Sequence, residues 1–206
     1  MTDTRFHRSW SRFDSWLAAN SPEDHALLRA GASPYDIAHV ERELGFALHP
    51  HLRALFELHD GVREEWPAEL GGFMAGFLLP GSHIPHGLDR ALEDHRMFAR
   101  TFEDVAEEDG PFEDGAEPLI AHAHQWVPFA HSNDAGTVFV DHHPGPGYGH
   151  VHTMGVGAGD VEGELWATDL AEFFDTLADC LTSGTSFGRH TPTMFHHPSG
   201  HARLDW

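Results

Sequence analysis

Histidine has the most chemistry to offer in this chain, with twenty copies in 206 residues and four of them, His142, His143, His150 and His152, close together. If that segment folds back as a hairpin, His150 and His152 share a strand face, and His142 or His143 with Asp141 can approach them. Such a donor set suits zinc or nickel, and with a bound water it would suit a metal-dependent hydrolase. Against this, the sequence has no His-Glu-x-x-His and no Cys pair, and histidine is so frequent that clusters arise by chance. A set of solvent-facing polar side chains is the favoured reading, and no cofactor is expected. The same holds for His190, His196, His197 and His201 in the tail.

Asp60, Asp134 and Asp141 are the carboxylates most easily mistaken for catalytic groups. Asp60 stands beside Gly61 at a helix end, Asp134 in a turn and Asp141 at a strand end, so each is expected to hydrogen-bond local backbone. There is no Gly-x-Ser-x-Gly elbow, Walker loop or dinucleotide fingerprint, so no catalytic residue is assigned. Cys180, the single cysteine, lies on the apolar side of a predicted helix and excludes an internal disulfide.

The elements that must position these groups carry strong local signals between Ser33 and Gly61. Ser33 can cap a helix that begins at Pro34, with Ile37, Val40 and Leu44 on one face and Gly45 as its stop. Pro50 opens a second helix with Leu52, Leu55, Phe56 and Leu58 as its stripe, ended by Asp60-Gly61. Neither is long enough to stand alone, so both must pack on a sheet. Before them, an aromatic stripe (Phe6, Trp10, Phe13, Trp16, Leu17) predicts a helix over 6–19, and a short helix capped by Ser21 is predicted from Pro22 to Ala30.

After Gly61 come an exposed loop containing Glu64, Glu65 and Trp66, a central strand over 71–79 and a helix from Gly87 to Phe102. Between Phe102 and Leu119 stand eight acids, two Gly, two Pro and no base, predicting a solvated acidic loop at about 103–117. Trp126–Ala130 and Gly136–Asp141 form a hairpin around His131–Ala135, and His150–Met154 completes a meander. Thr168 caps a last helix bearing Leu170, Phe173, Phe174, Leu177 and Leu181, ended by Gly184. Residues 185–206 show no period and are predicted to be an irregular tail.

Twelve Arg, no Lys and thirty-three acids give a formal charge of −21. Residues 1–100 hold ten Arg against fifteen acids, a balance of −5, and residues 101–206 hold two against eighteen, a balance of −16. Such a field disfavours nucleic acid and anionic membrane surfaces and favours a basic protein partner. The N-terminus lacks the apolar core of a signal peptide and no apolar run of membrane-spanning length exists, so a cytoplasmic location is expected.

The run Gly31-Ala-Ser-Pro34, Ile37, Glu41, Leu44-Gly45, Leu48, Leu52, Leu55, His59-Asp60-Gly61, then Trp126-Val-Pro-Phe-Ala130, Asn133-Asp134, Gly136, Asp141 and Gly147 resembles the SUKH superfamily. That superfamily includes the fungal cell-wall assembly and glucan-synthesis regulators and many bacterial relatives. The resemblance implies a single α+β domain over 1–184, with helices packed on a mainly antiparallel sheet. It departs from the family at Leu48-His49-Pro50, where the proline more often follows the leucine directly. It further implies a non-enzymatic binding module, commonly an immunity protein against a polymorphic toxin, often a nuclease; the alternative is an intracellular regulatory adaptor. Partner contacts are expected at Glu64, Glu65 and Trp66, at Glu107, Glu108 and Asp109 in the acidic segment, and at Asp134.

Overall fold

The computed structural model describes residues 4–63, 76–109, 119–156, 163–196, 198, 200 and 202–206. The long helix α1 (Thr4–Asn20) buries Phe6, Trp10, Phe13 and Leu17 on one stripe. It packs along α6 (Leu170–Ser183), whose Phe174 ring meets those of Trp10 at 4.7 Å and Phe13 at 5.3 Å. A ring buried so completely is worth about 3–5 kcal/mol relative to alanine. Cys180 is buried on the same helix.

Helix α3 (Pro34–Leu44) starts and stops as its sequence requires. Ser33 Oγ accepts from the Asp36 N–H at 3.2 Å, Pro34 opens the first turn, and Gly45 ends it at φ +81°. Helix α4 (Pro50–Leu58) begins at the expected proline, and the departure at Leu48-His49-Pro50 proves to be a histidine cap: His49 Nδ1 accepts from the His51 N–H at 3.3 Å.

The motif residues Gly31, Asp60 and Gly61 meet in a joint. Segment 27–32 runs beside 60–63 through Arg29 N–H to Gly61 O and Arg63 N–H to Leu27 O, both 2.9 Å. A Cβ on Gly31 would fall on the Glu57 carbonyl oxygen, and one on Gly61, at φ +72°, would lie 2.5 Å from the His86 carbonyl carbon. Asp60 ties the joint to the next helix, accepting from the Leu88 N–H at 2.8 Å at the start of α5 (Leu88–Asp109) and pairing with Arg29 at 2.9 Å. Its backbone partner is thus 28 positions away in sequence, not local.

The sheet is a five-strand antiparallel array in the order β1 (Ile84–Pro85), β2 (Trp126–His131), β3 (Gly136–Asp141), β4 (Val151–Gly155) and β5 (Glu164–Ala167). Strand alternation sends Val127, Phe129, Val138, Val140 and Val151 into the main core with α1, α4 and α6. Trp126, Phe139 and Met154 face the other way, into a second cluster with Phe98 and Phe102 of α5 and Ile120 and Ala123 of a 3₁₀ segment (Leu119–Gln125). Helices therefore cover both faces, an α+β arrangement packed as one body. Among the described residues no helix is long and apolar enough to cross a membrane.

Five further sequence expectations need correction. The helix expected from Pro22 to Ala30 is only α2 (Pro22–His25), because pairing of the next residues with 60–63 draws them into extended backbone. No strand runs through 76–79: Leu79 pairs only with His83 across a tight turn, Ile84–Pro85 takes the sheet edge, and 71–75 lie outside the described residues. The stretch expected as acidic loop continues α5 to Asp109, since Val105-Ala106-Glu107-Glu108 suits a helix once charge is set aside; residues 110–118 lie outside the described part. Asp169, not Thr168, caps α6, accepting from the Glu172 N–H at 2.8 Å, while Thr168 binds the Glu172 carboxylate.

The tail is the fifth. Its residues form a hairpin of β6 (Thr193–His196) and β7 (Ala202–Asp205), whose Leu204 is fully buried. It is fastened by Asp24, fully enclosed, whose Oδ2 accepts from the Leu204 N–H at 2.7 Å and the Ser21 hydroxyl at 2.5 Å, and whose Oδ1 accepts from the Gly76 N–H at 2.6 Å. Burial pushes the Asp24 carboxyl up against the pull of these three donors.

Candidate functional site

The β2–β3 hairpin gathers polar chemistry at both of its ends. At the Asp141 end, alternation separates the histidines that the sequence grouped. His142 turns toward the main core, 5.2 Å from the Phe46 ring, and both nitrogens are committed: Nδ1–H donates to Val140 O at 3.0 Å and Nε2 accepts from the His49 N–H at 2.8 Å. His152 lies on the opposite face, flat against Phe139 at 5.6 Å, with the His150 ring 6.0 Å away. His143 Nδ1 bonds Gln125 Oε1 at 2.8 Å, and its ring stacks on His122 at 3.6 Å. Burial pushes His142 and His152 down to about 4, so both are neutral at pH 7.

Asp141 is occupied by the His143 N–H at 2.8 Å, the local backbone bond expected of it. Among the described residues no group of three or more His, Cys, Asp or Glu is placed to hold a metal ion. His142, His143, His150 and His152 are therefore not brought together as a metal centre.

The turn end is built differently. Gly136 N–H donates to Ser132 Oγ at 2.9 Å, and Ser132 Oγ–H donates to Asp134, which holds that exposed carboxyl below the usual carboxylate range. Gly136 has no Cβ, and one there would strike Ser132 Oγ and stand 3.0 Å from His83 Nε2. Around this turn His83, Arg189 and His190, with Glu164 and Trp166 of β5, line a cavity of about 240 Å³.

The rings in this cavity are held from behind. Trp166 stacks on Phe173 at 5.8 Å and meets Phe187 edge-on at 5.5 Å, and it stands perpendicular to His83 at 5.5 Å and edge-on to His190 at 6.2 Å. His83 is 6% exposed. Its Nδ1–H donates to Pro80 O at 2.6 Å, which leaves Nε2 a lone-pair acceptor with no hydrogen-bond partner among the described residues. Burial pushes His83 down to about 4 and lowers His190 as well, so the pocket's imidazoles are neutral at pH 7. Its charges are then two carboxylates and one guanidinium.

Of the expected contact residues, Asp134 lies on this pocket. Glu107, Glu108 and Asp109 stand on the last turns of α5, with side chains outside the described part, and Glu64, Glu65 and Trp66 lie outside the described residues. Sequence reasoning passed over His83, Glu164 and Trp166, and it read His190 as a solvent-facing residue of the tail, whereas the structure puts it on the pocket wall. Strand geometry puts Glu164 and Trp166 on one face, but Glu164-Leu-Trp-Ala167 carries no polar/apolar alternation that would mark it as a strand.

Residues 31–176 match the family model described as SMI1 / KNR4 family (SUKH-1). No curated protein matches the chain.

Proposed function

The chain belongs to the SMI1/KNR4 family (SUKH-1), and from that premise we propose that it is a non-enzymatic protein-binding module acting in the cytoplasm as an immunity protein. Its partner is a toxin domain with a basic surface, as a nuclease needs in order to hold phosphates. The observation that carries this is charge: thirty-three acids against twelve Arg and no Lys. A field of that sign raises the encounter rate with a cationic protein and repels nucleic acid.

The test is protection. Co-expression of this chain with a toxin domain encoded beside it should restore growth, and the purified pair should associate more slowly as salt rises. Between about 10 mM and 150 mM the Debye length contracts from roughly 30 Å to 8 Å, so a steered association rate drops steeply. Absence of protection would remove the immunity reading; protection with a salt-independent association rate would remove its electrostatic basis.

A further inference from the structure

We propose that the pocket at the turn end of the β2–β3 hairpin receives an arginine side chain of the protein partner. The inference rests on the immunity reading for the partner's existence, but the pocket's chemistry stands on its own geometry. Its groups with acceptor capacity left are the enclosed Nε2 of His83, which lacks a partner among the described residues, and the carboxylates of Asp134, where the Ser132 hydroxyl occupies one oxygen, and of Glu164. A ligand that satisfies them must donate, and an arginine carries five N–H donors in a planar fork.

The walls narrow the choice further. Trp166 is fixed by Phe173 and Phe187 and, with His83 and His190, supplies three rings around the cavity. A guanidinium stacks on such a face while its edge reaches the carboxylates, whereas an ammonium is more strongly hydrated and has no plane to stack. Glycines at 81, 136 and 163 line the space, so it is not filled by the chain's own side chains at those positions. Arg189 opposes an incoming cation, but it is exposed on a turn and stands against two carboxylates. An arginine from outside therefore meets a net negative site.

The full chain can be titrated with Nα-acetyl-arginine N-methylamide while NMR follows the His83, Trp166 and His190 ring protons, with the norleucine and glutamate counterparts as controls. Saturable shifts are expected for the arginine probe alone, with half-saturation at about 1–10 mM. The double variant Asp134→Asn, Glu164→Gln should weaken binding at least about tenfold. Arg189→Gln should tighten it about threefold, a direction that a merely structural role would not give. Equal shifts with norleucine would make the pocket an apolar cleft, and saturation by glutamate would make it an anion site on Arg189. Either result, or no saturable shift up to about 100 mM arginine probe, would overturn the proposal and leave the protection assay untouched.

Discussion

The two ends of the β2–β3 hairpin carry similar side chains, histidine and aspartate beside glycine, and use them in opposite ways. At the Asp141 end, His142 spends both nitrogens and joins the sheet to the start of α4. At the turn end, His83 spends one nitrogen, and the carboxylates of Asp134 and Glu164 border a cavity. The first arrangement lowers the energy of the fold. The second leaves buried acceptor capacity unmatched, which folding alone has no reason to retain. Histidine count therefore says little about function here, and the state of each ring nitrogen says much more.

Acid should produce the largest effect, and it engages both ends. His83 and His142 are pushed to about 4 and the enclosed His86 to about 3, all below the unfolded value of 6.5. A depressed imidazole stabilises the fold fully above pH 6.5, and that contribution is lost as pH falls through the folded values. Each group withdraws on the order of 2–4 kcal/mol, a sizeable part of a typical 5–15 kcal/mol. Loss of net negative charge at exposed groups acts in the opposite direction, as does protonation of Asp24 and Asp141, whose carboxyls burial pushes up, but the three imidazoles outweigh them. Stability measured by urea titration should fall steadily from pH 6.5 to 4. A flat profile would mean that these imidazoles find solvent.

The difference between the ends appears with single substitutions. His142→Ala should cost about 2–4 kcal/mol, because it strands the His49 N–H and opens a cavity. A denaturant midpoint close to wild type would show that α4 holds its place without this ring. Gly149→Ala at the same end should cost about 1–3 kcal/mol, since φ is +91° and the new Cβ would stand 2.6 Å from His49 Nε2. Thermal unfolding reads this directly, and an unchanged melting temperature would mean that the loop yields. At the turn end, Glu164→Gln should change stability by less than about 0.5 kcal/mol, as an exposed group does. A larger loss would make Glu164 structural and erase the contrast.

Legibility followed the range of the interactions. Helices α3 and α4, the stripe and stop of α6 and the β2–β3 hairpin were readable because their signals are local: Ser33, Pro34 and Gly45 act within a few residues of where they stand. Gly31 and Asp60 were visible as motif members, but their work depends on partners at Glu57 and Leu88 that no local pattern reveals. The pocket was hidden for the same reason, since its lining comes from a tight turn at 80–83, the hairpin turn, β5 and the 187–190 turn. Asp134 was found because turn chemistry marks it. His83 was not, because nothing near it in sequence distinguishes it from nineteen other histidines. The acidic stretch after Phe102 misled in the opposite direction, where charge density outweighed the helix propensity of the alanine and glutamates.

The Asp24 carboxylate sets an order on folding. Two of its three donors, the N–H groups of Gly76 and Leu204, are 52 and 180 positions away, so it is solvated in every intermediate that lacks them. Closing the longer loop carries little more entropy than closing the shorter, because that cost grows only with the logarithm of length. What delays the step is desolvation: an anion must shed its water before the last donor arrives to replace it. The final closure of β6–β7 should therefore appear as a separate, pH-sensitive kinetic phase, and in the native protein the amides of this hairpin should open to exchange before those of β2, β3 and β4.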